Sequence, residues 1–176
     1  MRAIDPAEAR RLLEQTFPND GARTRALLLP ALAEGLGPED EPFLAAVLAN
    51  DRGKEVRQIA AALLSRLPAS AFARRMTARL DLCIHSERKY LRAVTAIEPP
   101  DAFAPDWKDD AFIEQPPTGM KLGARAWWLL QMVAHTPLGW WEEKLTLDPA
   151  GILALAARRE WKAALLAGFR AALGNQ

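Results

Sequence analysis

The sequence predicts a mostly α-helical protein: a short solenoid of stacked helix pairs followed by a tryptophan-rich helical part. Apolar residues recur at helical spacing, and prolines and glycines separate these segments. A helix–turn–helix pattern also returns after about thirty residues, which is typical of helical repeats. The 176 residues suffice for one domain or one stack of repeats. Each such unit buries its apolar face only against a neighbour.

Composition excludes several classes of protein. Cys83 is the single cysteine, so an intrachain disulfide and a four-cysteine zinc site are both excluded. The formal net charge of +1 directs the chain neither to nucleic acid nor to a membrane surface. Residues 1–6 lack the apolar core of a signal peptide, and no apolar run approaches the roughly 18 residues of a membrane span. We therefore expect a cytoplasmic protein without a membrane segment.

The N-terminal segment predicts two helices. The first should begin at Asp5, with Pro6 at the first helical position and Glu8 in the first turn. The second should cover residues 22–34. Pro30 lies inside it and predicts either a kink or a split, because proline removes a donor and clashes one turn back.

Residues 42–68 carry the clearest pattern, an apolar helix, a polar turn and a second apolar helix. We expect Asp51 in the turn to cap the second helix by accepting from its free N–H groups. The buried stripe of that helix should consist of Val56, Ile59, Ala60, Leu63, Leu64 and Leu67.

A weak internal repeat links this turn to an earlier one. Asp51 followed by Arg57 is paralleled by Asp20 followed by Arg25. The pattern resembles the HEAT repeat, whose matching Asp and Arg residues often bond between neighbouring repeats. The resemblance implies a short HEAT-like α-solenoid over residues 1–97, with Asp51 and Arg57 as a structural ladder. Anion binding by Arg57 is the alternative interpretation.

The end of this region is open to two interpretations. Ser70 should cap a helix that reaches about Leu80. Residues 82–97 then alternate in a way that fits one more helix or a small β-hairpin equally well.

Basic residues cluster in the same region and define a candidate anion- or nucleic-acid-binding face: Arg74, Arg75, Arg79, Arg88, Lys89 and Arg92. Each phosphate contact would add salt dependence to binding. The simpler explanation of Arg74, Arg75 and Arg79 is that they form the solvent-exposed face of a single helix.

Residues 98–119 form a different segment, a proline-rich acidic loop with five prolines, six acidic residues and one lysine. Its aromatic residues include Phe103, Trp107 and Phe112, and they predict a loop packed on the helical body rather than a free linker. Asp106, Asp109 and Asp110 lack the spacing of a calcium loop, so a solvated loop is favoured over a cation site.

Residues 120–176 predict the C-terminal helical part. A strong helix should cover 122–135, and Trp140 and Trp141 should open a short helix with Glu142 and Glu143 in its first turn. A final pair should cover 151–157 and 161–173.

Four tryptophans in this part are the candidate partner surface: Trp127, Trp128, Trp140 and Trp141. Adjacent residues of a helix lie about 100° apart, so at most one of each pair faces a given interface. The tryptophans either fasten the acidic loop to the C-terminal helices or leave an aromatic patch exposed for a partner.

Six short motifs extend from residue 51 to residue 166: Asp51-Arg52-x-Lys54-Glu55-Val56-Arg57, Arg75-Met76, Pro99-Pro100, Gly123-x-Arg125-Ala126-Trp127-Trp128-Leu129-x-Gln131, Pro137-Leu138-x-x-Trp141 and Glu160-Trp161-x-x-Ala164-Leu165-Leu166. Together they resemble an uncharacterised bacterial domain family, and the resemblance covers most of the chain from about residue 40. Its members resemble helical-repeat proteins of unknown function, often encoded near SWIM zinc-finger, MoxR-type ATPase and von Willebrand A-domain proteins. The resemblance implies no catalytic residue, and members are often longer, so this chain is either a short member or a fragment.

These observations favour a non-enzymatic protein–protein interaction or scaffold module, an adaptor in an ATPase-linked bacterial complex, whose partner is another protein. Nucleic-acid binding through the basic face is one alternative. An enzyme with an unrecognised site between the acidic loop and the tryptophans is the other. Cys83 and His85 are two residues without further ligand spacing, so we predict no metal, cofactor or catalytic residue.

Overall fold

The computed structural model describes residues 5–89, 92–157 and 160–175, with the backbone alone described for 86–89 and 92–94. The predicted mostly α fold is confirmed. The described helices are α1 Pro6–Thr16, α2 Ala22–Leu28, α3 Glu41–Asn50, α4 Lys54–Ser65, α5 Ala71–Asp81, α6 Ala124–Ala134, α7 Leu138–Leu145, α8 Pro149–Ala157 and α9 Lys162–Gly174. The described strands are β1 Ile84–Lys89 and β2 Arg92–Ile97.

The chain divides into two compact units. The first contains Met1–Ala73 and Asp109–Ala111, and the second contains Arg74–Lys108 and Phe112–Gln176. The boundary near residue 73 falls within α5. The division expected from the sequence, 1–97, 98–119 and 120–176, stays a prediction.

Local chemistry sets the first helices as predicted. The Asp5 carboxylate accepts the Glu8 N–H at 2.9 Å and caps α1, and Pro6 is its first residue. Pro30 splits the second predicted helix: α2 ends at Leu28, and Leu29–Ala33 continues as a 3-10 helix.

Helices α3 and α4 form a helical hairpin in the first unit, and α4 also packs against α2 and the 3-10 segment. The core of the first unit includes Leu29, Leu32, Leu44, Leu48, Val56, Ala60 and Leu64. The expected cap by Asp51 is wrong in detail. Gly53 is the N-cap residue of α4, and the Asp51 carboxylate accepts the Gly53 N–H at 2.7 Å, so Asp51 braces the turn before the helix.

Ser70 caps α5 as predicted, since its Oγ accepts the Ala73 N–H at 3.0 Å. The segment after α5 adopts the β-hairpin alternative: β1 and β2 pair antiparallel, with Ile84 opposite Ile97 and Lys89 opposite Arg92. The helical alternative for this segment is therefore wrong.

Helices α6 and α9 pack closely in the second unit. Gly168 of α9 makes this approach tight, because a Cβ atom there would lie 2.6 Å from the Val133 Cβ atom. Leu129, Val133 and Leu165 are fully buried at the centre of this unit.

Helix α7 begins two residues earlier than predicted. Pro137 is its N-cap residue, and the Pro137 carbonyl accepts the Trp140 N–H at 3.1 Å, which closes the first turn before Trp141. Glu142 and Glu143 therefore lie in the second half of the helix, and the first turn has no acidic residue. Every described helix falls short of the length and apolar character needed to cross a bilayer.

Candidate functional site

The first tryptophan pair fastens the acidic loop. Trp127 and Trp128 are buried on α6, and their indole N–H groups donate to the carbonyls of Ile113 and Glu114, each at 2.7 Å. The Gln131 side chain also bonds the Ile113 backbone, accepting its N–H at 2.8 Å and donating to its carbonyl at 2.9 Å. Buried indole donors normally find such partners.

An aromatic cluster continues this attachment. Trp107 lies 6.1 Å from Trp128, and Phe103 lies 5.1 Å from Trp107 and 5.8 Å from Trp128, centroid to centroid. All three pairs are edge-on, the geometry that aromatic quadrupoles favour. Arg125 adds polar contacts, because its guanidinium donates to the carbonyls of Pro99 at 2.6 Å and Pro100 at 3.1 Å.

The second tryptophan pair differs from the first. Trp141 is 1% exposed and stands edge-on to Phe169 at 4.9 Å. Trp140 is half-buried and stands edge-on to Trp141 at 5.4 Å. Within the described residues, the buried Trp141 Nε1–H has no hydrogen-bond acceptor. A partner-binding role for the four tryptophans stays a prediction; such a role for the first pair would compete with the contacts that hold the loop.

A groove of about 230 Å³ lies where α7, α8 and α9 meet. The residues that line it are Leu138, Trp141, Glu142, Pro149, Ile152, Leu153, Phe169 and Leu173. Trp141, Ile152 and Phe169 are buried and form its floor. We call this feature the α7–α9 groove.

Two exposed leucines form the rim of the α7–α9 groove. Leu153 of α8 is 50% exposed and Leu173 of α9 is 62% exposed. Helix α8 contains no charged or polar side chain along Pro149–Ala157, so any face of it that meets solvent is apolar. Apolar surface gathered in one concave place is typical of a binding site, whereas scattered exposed leucines are ordinary.

The described lining of the groove carries a negative charge. Glu142 is its one charged lining residue, and Glu143 beside it is exposed. Within the described part of the chain, neither carboxylate has an ion-pair partner. Lys144, the cation of α7, pairs with Asp81 instead.

The predicted ladder residues are both engaged in the first unit. The Arg25 guanidinium binds the Asp51 carboxylate through two atoms, at 2.7 and 3.0 Å, so the arginine of the earlier turn pairs with the aspartate of the later one. Arg57 donates to the carbonyls of Leu48 at 2.6 Å and Asp109 at 2.8 Å. The bidentate Arg25–Asp51 pair orients both side chains.

Burial opposes ionisation of Asp51, but hydrogen bonds from Arg25 and from the Gly53 N–H outweigh it, and the pKa of Asp51 lies below its usual value. A second concavity of about 440 Å³ adjoins this pair and includes Phe17 and Phe43 in its lining. It is more open than the α7–α9 groove, and its buried charges neutralise each other.

The basic residues are only partly brought together. Arg74 and Arg75 are exposed on α5, whereas the Arg79 side chain is 13% exposed, binds Asp106 at 3.2 Å and lies over the Phe112 ring. The side chains of Arg88, Lys89 and Arg92 lie outside the described residues. A nucleic-acid-binding face therefore stays a prediction.

The cysteine and histidines occupy ordinary structural positions. Burial raises the pKa of the Cys83 thiol to about 11, which suppresses its reactive thiolate. His135 follows α6, and its Nδ1 atom lies 2.8 Å from the Gln131 carbonyl oxygen. His85 is exposed. Among the residues with described positions, no cluster of three or more His, Cys, Asp and Glu side chains is placed to hold a metal ion.

Comparison with known proteins places the chain in a family without giving it an activity. No curated protein and no solved structure matches it. A family model matches residues 1–176, the full length of the sequence. The chain therefore belongs to DUF5691, a family of unknown function.

Proposed function

We propose that this chain is a non-enzymatic protein–protein interaction module. The observation that carries the proposal is the α7–α9 groove, whose buried aromatic floor and exposed Leu153 and Leu173 form one concave apolar surface. Protein interfaces concentrate their binding energy in such desolvated pockets. The proposal extends to an adaptor role in an ATPase-linked bacterial complex, which the sequence resemblance supports.

The HEAT-like repeat assignment is part of the same proposal. Pairing of Arg25 with Asp51 supports it, because the arginine of the earlier turn bonds to the aspartate of the later turn. Repeat units of this kind are common scaffolds for partner binding.

Affinity purification tests the proposal with the full chain as bait in its native lysate. Wild type should retain a partner that the double variant Leu153→Gln/Leu173→Gln loses. Leu82→Gln is the matched control, because Leu82 is 77% exposed in the same unit and does not line the groove. A partner kept equally by all three proteins, or none retained by wild type, would count against the proposal.

Nucleic-acid binding is the second proposal, favoured by the exposure of Arg74 and Arg75 on one turn of α5. Its affinity should fall steeply with salt. A gel-shift titration at low and high salt tests it, and absence of a shift at low salt would end it.

A further inference from the structure

We infer that the α7–α9 groove receives an amphipathic helix that places a lysine or arginine opposite Glu142. The inference rests on the proposed function and names the class of partner for the same site. Three properties of the groove carry it: its size, the secondary structure of its walls and its charge.

The size of the groove favours side chains over a small molecule. A volume of about 230 Å³ lies below the roughly 300–1,000 Å³ of small-molecule sites. Such sites also have several convergent polar groups, whereas Glu142 is the one charged residue in this lining. The groove fits one or two apolar anchors, and Leu153 and Leu173 extend its apolar surface outward.

The walls favour a helical partner. Lining residues come from three helices, so the groove presents no strand edge to which an extended peptide could add. A polyproline segment would need exposed aromatic rings, yet Trp141 and Phe169 are buried and the exposed rim is aliphatic. A helix satisfies its own backbone and offers anchors at i, i+3 or i+4, and i+7.

Charge selects a basic helix. Glu142 lines the groove and Glu143 adjoins it, and both carboxylates lack an ion-pair partner within the described residues. Lys144 is held by Asp81, and Arg170 of α9 lies outside the lining. A lysine or arginine on the partner would meet complementary charge, while an acidic helix would be repelled.

Synthetic peptides test the inference by fluorescence anisotropy. The first probe is a helix of about 18 residues with leucine at i, i+3, i+4 and i+7 and lysine beside the leucines. The second replaces lysine by glutamate, the third shuffles the first so that the leucines leave one face, and the fourth is proline-rich. The lysine helix should bind wild type at least about tenfold more tightly than any other probe.

Matched variants locate the binding. Leu153→Gln/Leu173→Gln should weaken the lysine helix at least about tenfold, while Leu82→Gln leaves it unchanged. Glu142→Lys should weaken it about three- to tenfold and strengthen the glutamate helix. Glu143→Lys makes the same change in net charge outside the lining, and its effect should be smaller.

Each outcome decides the inference. Weak binding of the lysine helix, equal binding of the lysine and shuffled helices, or indifference to the leucine variants would overturn it. Preference for the proline-rich probe would assign the groove to extended peptides, and self-association lost on Leu153→Gln/Leu173→Gln would assign it to a second copy of this chain. Loss of a lysate partner by the leucine variants without binding of the lysine helix would overturn this inference and leave the proposed function standing.

Discussion

Replacement of Gly168 by alanine tests the packing that supports one wall of the groove. The new Cβ atom would lie 2.6 Å from the Cβ atom and 2.7 Å from the Cγ1 atom of Val133, and 3.0 Å from the Leu130 carbonyl oxygen. Carbon atoms in good contact lie about 3.5–4.0 Å apart, so α6 and α9 must separate by roughly 1 Å. The Val133 Cβ atom and the Leu130 carbonyl oxygen cannot rotate away, so a change in the Val133 rotamer would move only the Cγ1 methyl group.

Two opposed effects set the magnitude. Overpacking of a close contact costs about 1–3 kcal/mol, whereas glycine to alanine within a helix gains about 1 kcal/mol. Because two contacts are shorter than 3.0 Å, the cost should lie in the upper part of its range, about 2–3 kcal/mol. The balance then predicts a loss of about 1–2 kcal/mol in the free energy of unfolding. For a chain of this size, the corresponding fall in Tm is roughly 3–6 °C.

Thermal unfolding followed by circular dichroism measures this effect. Gly174→Ala is the matched control, because Gly174 ends the same helix and a Cβ atom there would meet no atom within 4 Å. Its Tm should equal or exceed that of wild type. A Gly168→Ala variant as stable as Gly174→Ala would refute the close packing of α6 against α9.

Three further results are expected. Asp51→Asn should remove a stabilisation that is present in full above pH 3.8, the ordinary pKa of the carboxyl, and is lost as pH falls through the lowered pKa of folded Asp51. Urea unfolding across that pH range measures the difference in the free energy of unfolding between wild type and variant. A difference that becomes larger as the pH falls would contradict the prediction. Cys83 should react with iodoacetamide at pH 8 at least about a hundredfold more slowly in the native than in the unfolded protein, because burial raises the pKa of its thiol to about 11. Equal rates would place the thiol at the surface. Arg125→Met should accelerate backbone hydrogen exchange around residues 98–103 about tenfold, because it removes the bonds to Pro99 and Pro100. Unchanged exchange there would show that the aromatic contacts alone hold the loop.

Local chemistry made the helix starts in the first part of the chain predictable. Asp5 and Ser70 cap α1 and α5 through bonds to nearby N–H groups, and Pro30 ends α2 because it cannot continue the backbone pattern. Such signals act within a few residues, so the sequence alone contains them.

Features that depend on contacts far along the chain were less predictable. Residues 82–97 fit two periodicities equally, and strand pairing in the hairpin decides between them. The start of α7 at Leu138 is an exception, because the bond from the Trp140 N–H to the Pro137 carbonyl is local and the sequence prediction, which began the helix at the tryptophans, overlooked it. The partner of Asp51 is Arg25 of the earlier turn, which the repeat pattern indicated without specifying the pair.

The candidate site was predicted in part. The sequence singled out Trp141, which lies on the groove floor, but it missed Leu153 and Leu173 on the rim. One signal was present: Pro149–Ala157 is apolar on every face, so incomplete burial of that helix must expose an apolar surface. Which face of α8 stays exposed depends on how α7 and α9 pack against it, and this packing belongs to the tertiary structure, which the local sequence pattern does not specify.

Hydrogen exchange measured on the chain alone and in complex with its co-purified partner tests the central claim most directly. The proposed role of the α7–α9 groove predicts slower exchange within residues 138–145, 149–157 and 162–174 upon binding, centred on the turns that contain Trp141, Leu153 and Leu173. Protection confined to the first unit, with these helices exchanging at the same rate in both samples, would contradict it.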